Sequence, residues 1–216
     1  MGYRVHTFSP DDDTPTGQVA DLEIQASYDD LDAVRRFASR VDVITFEFEN
    51  VPAATAAAAA ELAPVRPNWN VLFHTQHRLR EKQFLQERGF PLASFAAVTS
   101  GQDLRAALQS IGAPAVLKTA GWGYDGKGQQ KIATLDDPAV DCFAAQPFEA
   151  VLEGFVDFER EVSVLVARGL NGQSATYDVV ENVHTRHILD VSVAPADISV
   201  DLAREARHLA DHVAHL

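Results

Sequence analysis

Residues 118–129 read KTAGWGYDGKGQ, and this stretch guides the interpretation of the whole chain. It contains four of the 12 glycines of the protein, at positions 121, 123, 126 and 128. Glycine lets successive backbone N–H groups approach phosphate oxygens closely, and Lys118 offers a positive charge beside them. The lysine precedes the glycines and no helix-opening GK[ST] follows, so the stretch is neither a Walker loop nor a dinucleotide fingerprint. From these residues alone, a phosphate-binding loop and a glycine-rich hairpin without a ligand explain it about equally well.

The segments around this stretch predict a second half made mainly of strands. Apolar runs rich in β-branched residues predict strands at residues 95–98, 115–118, 130–133, 150–153, 160–168, 174–180 and 187–193. Asn171-Gly172 is typical of a tight hairpin turn, because both residues tolerate positive φ. Apolar residues at helical spacing predict helices over residues 100–111 and 198–215.

Strands and helices alternate in the first half, which predicts a parallel α/β sheet with helical crossovers. The predicted strands cover residues 3–8, 22–26 and 42–48. The predicted helices cover residues 30–40, 52–62 and 68–88, the last broken near Thr75. The change of pattern places a domain boundary near residues 92–100.

Acidic residues stand at the ends of several predicted strands. Glu153 ends one strand and Glu161 begins another, and a carboxylate at such a place can accept hydrogen bonds from a ribose diol. A surface ion pair with Arg160 explains them more simply when they are taken alone. In the strand 42–48, alternation puts Glu47 and Glu49 on one face, near the edge where ligands of parallel sheets bind, but two solvated acids fit equally well.

The histidines do not define a catalytic or metal site. His208, His212 and His215 share one face of the last predicted helix, but without a further ligand placed to complete a metal site they indicate a solvated face. A lone histidine such as His184 is more often structural than catalytic. No Ser–His–Asp or Cys–His arrangement is supported.

Composition excludes several classes of function. A formal net charge of -13 argues against binding to nucleic acid or to an acidic membrane, since both require clustered Lys and Arg. The single Cys142 excludes an internal disulfide framework and a cysteine-rich zinc site. No run of about 18 apolar residues is present, so a cytoplasmic location is expected.

Five phrases follow one another in the chain: TFEFENVP (45–52), HRLREKQFL (77–85), VLKTAGWGYDGKGQ (116–129), VLEGFVDFEREVSV (151–164) and ENVHTRHILDVSVAPA (181–196). Taken in this order, they resemble one family of ATP-grasp enzymes, the N5-carboxyaminoimidazole ribonucleotide synthetases (ATPase subunit of phosphoribosylaminoimidazole carboxylase). The resemblance implies an α/β (α+β) ATP-grasp fold. Residues 1–95 would form a Rossmann-like pre-ATP-grasp domain that lacks its first strand and glycine-rich turn. Residues 96–216 would form an ATP-grasp domain, with its lid subdomain and the start of its C-terminal subdomain.

The resemblance also implies a reaction, that of an ATP-dependent carbon–nitrogen ligase of de novo purine biosynthesis. The family converts 5-aminoimidazole ribonucleotide, bicarbonate and MgATP to the N5-carboxylated product, ADP and phosphate, through carboxyphosphate. Little covalent work falls to the protein in such a reaction, so positioning and charge neutralisation dominate. The expected cofactors are ATP and Mg2+, the expected partners are these small molecules, and the expected assembly is a homodimer.

Matching of the family motifs implies roles for individual residues. Tyr124 and Asp125 would act in catalysis by closing over the phosphates and excluding water from carboxyphosphate. Glu47 would contact the aminoimidazole ribonucleotide. The implied nucleotide-binding residues are Arg78 and Lys118 at the phosphates, Gly123, Tyr124, Asp125, Gly126, Lys127, Gly128 and Gln129 in the closing loop, Glu153, Gly154, Phe155 and Val156 along the adenine, Glu161 at the ribose, and His184 beside the nucleotide.

The chain also departs from the family pattern. The GGGQLG-like turn that opens the family and cradles the substrate phosphate has no match, and the family's magnesium carboxylates would lie beyond Leu216. We therefore expect no metal ligand within these residues and no activity from the isolated 216 residues. Two alternatives stay open. One is a sister ATP-grasp enzyme, such as formate-dependent glycinamide ribonucleotide transformylase or biotin carboxylase, and the other is a non-catalytic nucleotide-binding module.

Overall fold

The computed structural model describes residues 2–121 and 128–216, which form a mixed arrangement of helices and short sheets. In the first part, two parallel strands precede four helices. These elements are β1 (His6–Ser9), β2 (Leu22–Gln25), α1 (Leu31–Ala38), α2 (Ala53–Ala60), α3 (Trp69–Thr75) and α4 (Arg78–Glu87). The predicted break near Thr75 is confirmed, since α3 ends there.

Small side chains dominate the core of this first part. Asp30 caps α1 by accepting a hydrogen bond from the N–H of Ala33, and Pro52 precedes the first turn of α2. The buried faces of the helices meet in a cluster that we call the alanine core. Its buried members are Val34, Ala38, Ala56, Ala58, Ala59, Val65 and Leu72.

The strand predicted at residues 42–48 does not form. Only Ile44 makes a bridge, parallel to Val65, with its N–H donating to the carbonyl of Pro64. β-branched and aromatic residues favour extended backbone, but a strand also requires a neighbour that pairs along its length. Within the described residues β1 pairs with β2 instead, so Glu47 lies on an exposed, unpaired segment.

A four-stranded antiparallel sheet forms the centre of the second part, with strand order β3-β6-β4-β5. Its elements and the two helices connected to them are β3 (Phe95–Val98), α5 (Gly101–Ile111), β4 (Ala115–Thr119), β5 (Gln129–Ile132), α6 (Pro138–Ala145) and β6 (Ala150–Gly154). The helices cover the sheet to form what we call the sheet core. Its buried members are Val98, Leu104, Ala107, Leu108, Ala115, Leu117, Ile132, Val140, Phe143, Ala150 and Leu152.

The sequence patterns did not predict α6. Its start is nevertheless marked by Asp137, whose side chain caps the helix, and by Pro138 in the first turn. Val140 and Phe143 face the core, while Cys142 is exposed.

The last part contains two small sheets and a helix. Its elements are β7 (Glu161–Ser163), β8 (Val166–Arg168), β9 (Ser174–Thr176), β10 (Val180–Thr185), β11 (Ile188–Val193) and α7 (Val200–Ala214). The stretch predicted as one strand at 160–168 is therefore split in two, with β7 pairing with β10 and β8 pairing with β9. The predicted turn at Asn171-Gly172 is confirmed between β8 and β9, with φ of 80° at Gly172. No helix in the described ranges has both the length and the apolarity to cross a membrane.

Candidate functional site

Lys118 and Glu153 meet on adjacent antiparallel strands of the four-stranded sheet. Val116 on β4 pairs with Glu153 on β6, so Lys118, two residues further along, has its side chain on the same face. The Lys118 Nζ lies 3.0 Å from the Glu153 Oε2. Only 8% of Glu153 is exposed. A carboxylate this buried requires charged or hydrogen-bonding partners.

A second ammonium group contacts the same carboxylate oxygen. Lys82 on α4 places its Nζ 3.3 Å from the Glu153 Oε2 and 5.6 Å from the centre of the Phe95 ring. We call Lys82, Lys118 and Glu153 the lysine–glutamate cluster. Lys82 was not among the residues that the sequence motifs indicated. Its position four residues after Arg78, and hence on the same face of the helix, is a sequence signal that could have indicated it.

Arg78 ties the first turn of α4 to the end of β4. Its N–H donates to the carbonyl of Ala120 at 2.8 Å, and its Nη1 donates to the carbonyl of Thr119 at 2.6 Å. His77 caps the helix by accepting a hydrogen bond from the N–H of Arg80. The predicted phosphate-binding residues Arg78 and Lys118 are therefore brought to the same strand end.

Glu81, also on α4, carries a perturbed carboxyl group. Burial raises the pKa of Glu81 above its ordinary value, and the nearby positive charges of Lys82 and Arg78 oppose that rise. Helix α4 therefore carries an acid with a raised pKa beside the two basic residues Arg78 and Lys82.

The glycine-rich stretch returns to the sheet at Gly128 and Gln129. Gln129 begins β5 and pairs with Lys118, and the N–H of Thr119 donates to the carbonyl of Gly128 at 2.8 Å. Gly128 has φ of 71°, and a Cβ there would meet the Thr119 Oγ1 at 2.6 Å. Both the backbone angle and the close approach therefore require glycine. The predicted loop residues Gly123, Tyr124, Asp125, Gly126 and Lys127 lie outside the described residues.

The end of β6 presents an apolar surface next to the cluster. The N–H of Gly154 donates to the carbonyl of Ser94, and that of Phe155 donates to the carbonyl of Pro114. Phe155 is 40% exposed, Val156 is exposed, and the Lys131 Nζ lies 3.8 Å from the centre of the Phe155 ring. A flat apolar ligand could stack on these two side chains.

Glu161 and His184 lie together on the sheet of β7, β10 and β11. The His184 Nδ1 is 3.6 Å from the Glu161 Oε1. Arg160 binds Glu181 at 2.9 Å instead of Glu161, and this contact raises the pKa of the Arg160 guanidinium. The simple explanation of Glu161 as the ion-pair partner of Arg160 is therefore wrong.

Glu47 lies apart from the lysine–glutamate cluster, in the first part of the chain. It borders a cavity of about 420 Å³ whose walls include Phe8, Tyr28 and Phe46. The histidines of α7 are exposed, as predicted, although the His212 ring packs 4.9 Å from that of Phe90.

Comparison with known proteins shows the family to which this chain belongs. The ATP-grasp domain family matches residues 83–216, and the ribonucleotide synthetase preATP-grasp domain family matches residues 1–76. The first match alone covers more than half of the chain, and the chain belongs to the ATP-grasp family.

Individual relatives are more specific. N5-carboxyaminoimidazole ribonucleotide synthase of Brucella melitensis is 45% identical over 217 residues, covering 100% of this chain and 60% of the relative. The protein of the same name from Bacillus subtilis is 37% identical, covering 97% of this chain and 55% of the relative. The structure of N5-carboxyaminoimidazole synthetase from Staphylococcus aureus complexed with ADP has a TM-score of 0.90 at 34% identity, covering 99% of this chain and 57% of that one. These similarities confirm the resemblance found in the five sequence phrases. The chain spans 55–60% of the length of these two curated relatives.

Proposed function

We propose that this chain carries the nucleotide-binding part of an ATP-dependent ligase that carboxylates 5-aminoimidazole ribonucleotide with bicarbonate, through carboxyphosphate. The observation that carries the proposal is the lysine–glutamate cluster, a buried carboxylate shared by two ammonium groups, beside the strand end where Arg78 and Gly128 converge. The similarity to N5-carboxyaminoimidazole ribonucleotide synthases supports the choice of substrates. The same resemblance supports a cytoplasmic location and a homodimer as further parts of the proposal.

In this proposal, the described residues contact both ends of a nucleoside triphosphate, the phosphates and the adenosine. Two lysines around one glutamate leave a surplus positive charge that attracts phosphate, and Lys118 acts as the movable point charge. Phe155 and Val156 supply an apolar face for adenine, while Glu161 accepts hydrogen bonds from the ribose and His184 lies beside it. Arg78 holds the start of α4 against the phosphate end.

Chemistry in this proposal follows from positioning and exclusion of water. The proposed loop that closes over the phosphates consists of Gly123, Tyr124, Asp125, Gly126 and Lys127. Gly128 and Gln129 are its fixed end, because Gln129 pairs with Lys118 in the sheet. Closure protects carboxyphosphate from hydrolysis, and Tyr124 and Asp125 are the catalytic residues of this step. Glu47 contacts the aminoimidazole ribonucleotide. Among residues 2–121 and 128–216, no group of three or more His, Cys, Asp or Glu side chains is placed to hold a metal ion. The family resemblance supports Mg2+ as the ion that accompanies ATP in this proposal.

Calorimetric titration of the chain with ATP and ADP tests the proposal. We expect both nucleotides to bind, and Lys118→Met to weaken ATP binding by about tenfold, as the loss of one charge-assisted contact of about 1.4 kcal/mol predicts. The matched control is Arg105→Met, which removes one positive charge from an exposed ion pair with Asp141 outside the proposed site. An unmodified chain that binds neither nucleotide would overturn the proposal, and so would an equal loss of affinity in the two variants.

A further inference from the structure

Glu153 is a single buried carboxylate with two cationic partners on one oxygen. We propose that Lys82 is a positioning residue of the nucleotide site. It keeps Glu153 paired and fixed when Lys118 leaves the carboxylate for the ligand phosphates. The inference rests on the proposed function, because it assigns to Lys118 the contact with phosphate.

The need for a second cation follows from burial. A buried carboxylate that loses its only partner becomes an uncompensated charge in a medium that solvates it poorly. If Glu153 had Lys118 alone, each binding event would have to separate that pair and leave the carboxylate unpaired. With Lys82 at 3.3 Å, the charge remains neutralised, and Lys118 can move at a lower energetic cost.

The two lysines differ in their freedom to move. The side chain of Lys118 is 26% exposed and that of Lys82 is 15% exposed. Lys82 projects from α4, with its ammonium group next to the ring of Phe95 as well as the carboxylate, so it is enclosed on two sides. Lys118 stands next to Thr119, where β4 ends and the glycine-rich stretch begins. Lys118 is therefore the partner that moves, and Lys82 is the partner that stays.

Titration calorimetry with ATP and with adenosine tests this division of roles. Adenosine has no phosphate and does not draw Lys118 away from Glu153. We expect Lys82→Met to weaken ATP binding about tenfold and to change adenosine binding less than twofold. Lys82→Arg should restore ATP binding to within about threefold, because a guanidinium can hold the same carboxylate. If Lys82 had only a structural role, Lys82→Met would weaken the binding of ATP and of adenosine equally. That result would overturn the inference.

A double-mutant cycle shows whether Lys82 acts through Glu153. In a Glu153→Gln background there is no buried charge to neutralise, so Lys82→Met should change ATP affinity less than twofold. A tenfold loss in that background would mean that Lys82 acts on the nucleotide directly, and the inference would be wrong. If Lys82→Met unfolds the chain, Lys82→Gln provides the same neutral test with a polar side chain. Should the unmodified chain bind adenosine and ATP while Lys82→Met leaves ATP binding intact, the inference alone fails. If the unmodified chain binds neither, the proposed function fails with it.

Discussion

The alanine core and the sheet core are built in different ways, although both lie under helices. In the sheet core, branched side chains such as Leu104, Ile132 and Leu152 are fully buried between two helices and a four-stranded ladder. In the alanine core, most buried positions hold only a methyl group, and the adjoining cavity measures about 420 Å³. Lys118 and Glu153 of the lysine–glutamate cluster project from strands β4 and β6 of the four-stranded sheet. These two site residues are thus supported by the sheet core, whose buried side chains are mostly large and branched.

The largest expected contrast between the two cores comes from matched leucine truncations. We expect Leu152→Ala to lower the free energy of unfolding by about 4 kcal/mol and Leu72→Ala by about 2–3 kcal/mol. Four of the seven buried members of the alanine core are alanines, so the removal of Leu72 forfeits fewer contacts. Urea unfolding, followed with hydrogen exchange to locate each loss, provides the measurement. Leu170→Ala, at an exposed position, is the control and should cost almost nothing. Equal losses at Leu152 and Leu72 would remove the distinction between the cores.

A smaller effect should separate two glycines with similar backbone angles. Gly128 borders the sheet with φ of 71°, and Gly89 follows α4 with φ of 78° and no atom within 4 Å of an added Cβ. We expect Gly89→Ala to cost about 1 kcal/mol from the left-handed backbone alone, and Gly128→Ala about 2–3 kcal/mol because the new methyl also meets Thr119. Thermal unfolding of both variants measures the difference. When Thr119→Ala is combined with Gly128→Ala, the loss of stability should fall to about that of Gly89→Ala. A difference that persists would contradict the packing argument.

The smallest effect is expected from Glu81, the partly buried acid on α4, the helix that contacts both α3 and β6. Burial raises the pKa of Glu81, so the folded state holds its proton over a pH range in which the unfolded chain has lost it. Stability therefore falls as pH rises from the ordinary glutamate pKa through the raised value, and the cost is fully present above it. Glu81→Gln should be more stable than the unmodified chain at neutral pH, and the gain should vanish near pH ~4. Urea midpoints across this pH range measure the gain. A constant difference at every pH would show that the carboxyl charge is not its cause.

Local patterns were sufficient to predict much of the fold. The strand ending at Lys118, the break near Thr75 and the hairpin at Asn171-Gly172 follow from signals that lie within a few residues of each other. The strand at 42–48 was wrongly predicted because pairing depends on what lies alongside, and no propensity contains that information. The division of the stretch 160–168 between two sheets depends on partners further along the chain in the same way.

The candidate site was likewise predicted only where local motifs carried the information. Motif matching pointed to Lys118, Glu153 and Arg78, and the fold brings them to adjacent strands and to a helix end. It did not point to Lys82, because the importance of that residue arises from a contact between a helix and a strand that are far apart in sequence. The roles assigned to the loop residues and to Glu47 stay predictions.

The charges around Glu153 also affect how a ligand approaches the site. Two ammonium groups around Glu153 leave one positive charge in surplus, embedded in a chain whose formal charge is -13. Beyond a Debye length of about 8 Å, an approaching polyanion meets the repulsion of the whole molecule, and nearer the strand end it meets a local attraction that salt screens much less. Added salt therefore speeds the encounter while it changes the final contact much less. The rate of association should depend on ionic strength more strongly than the rate of dissociation.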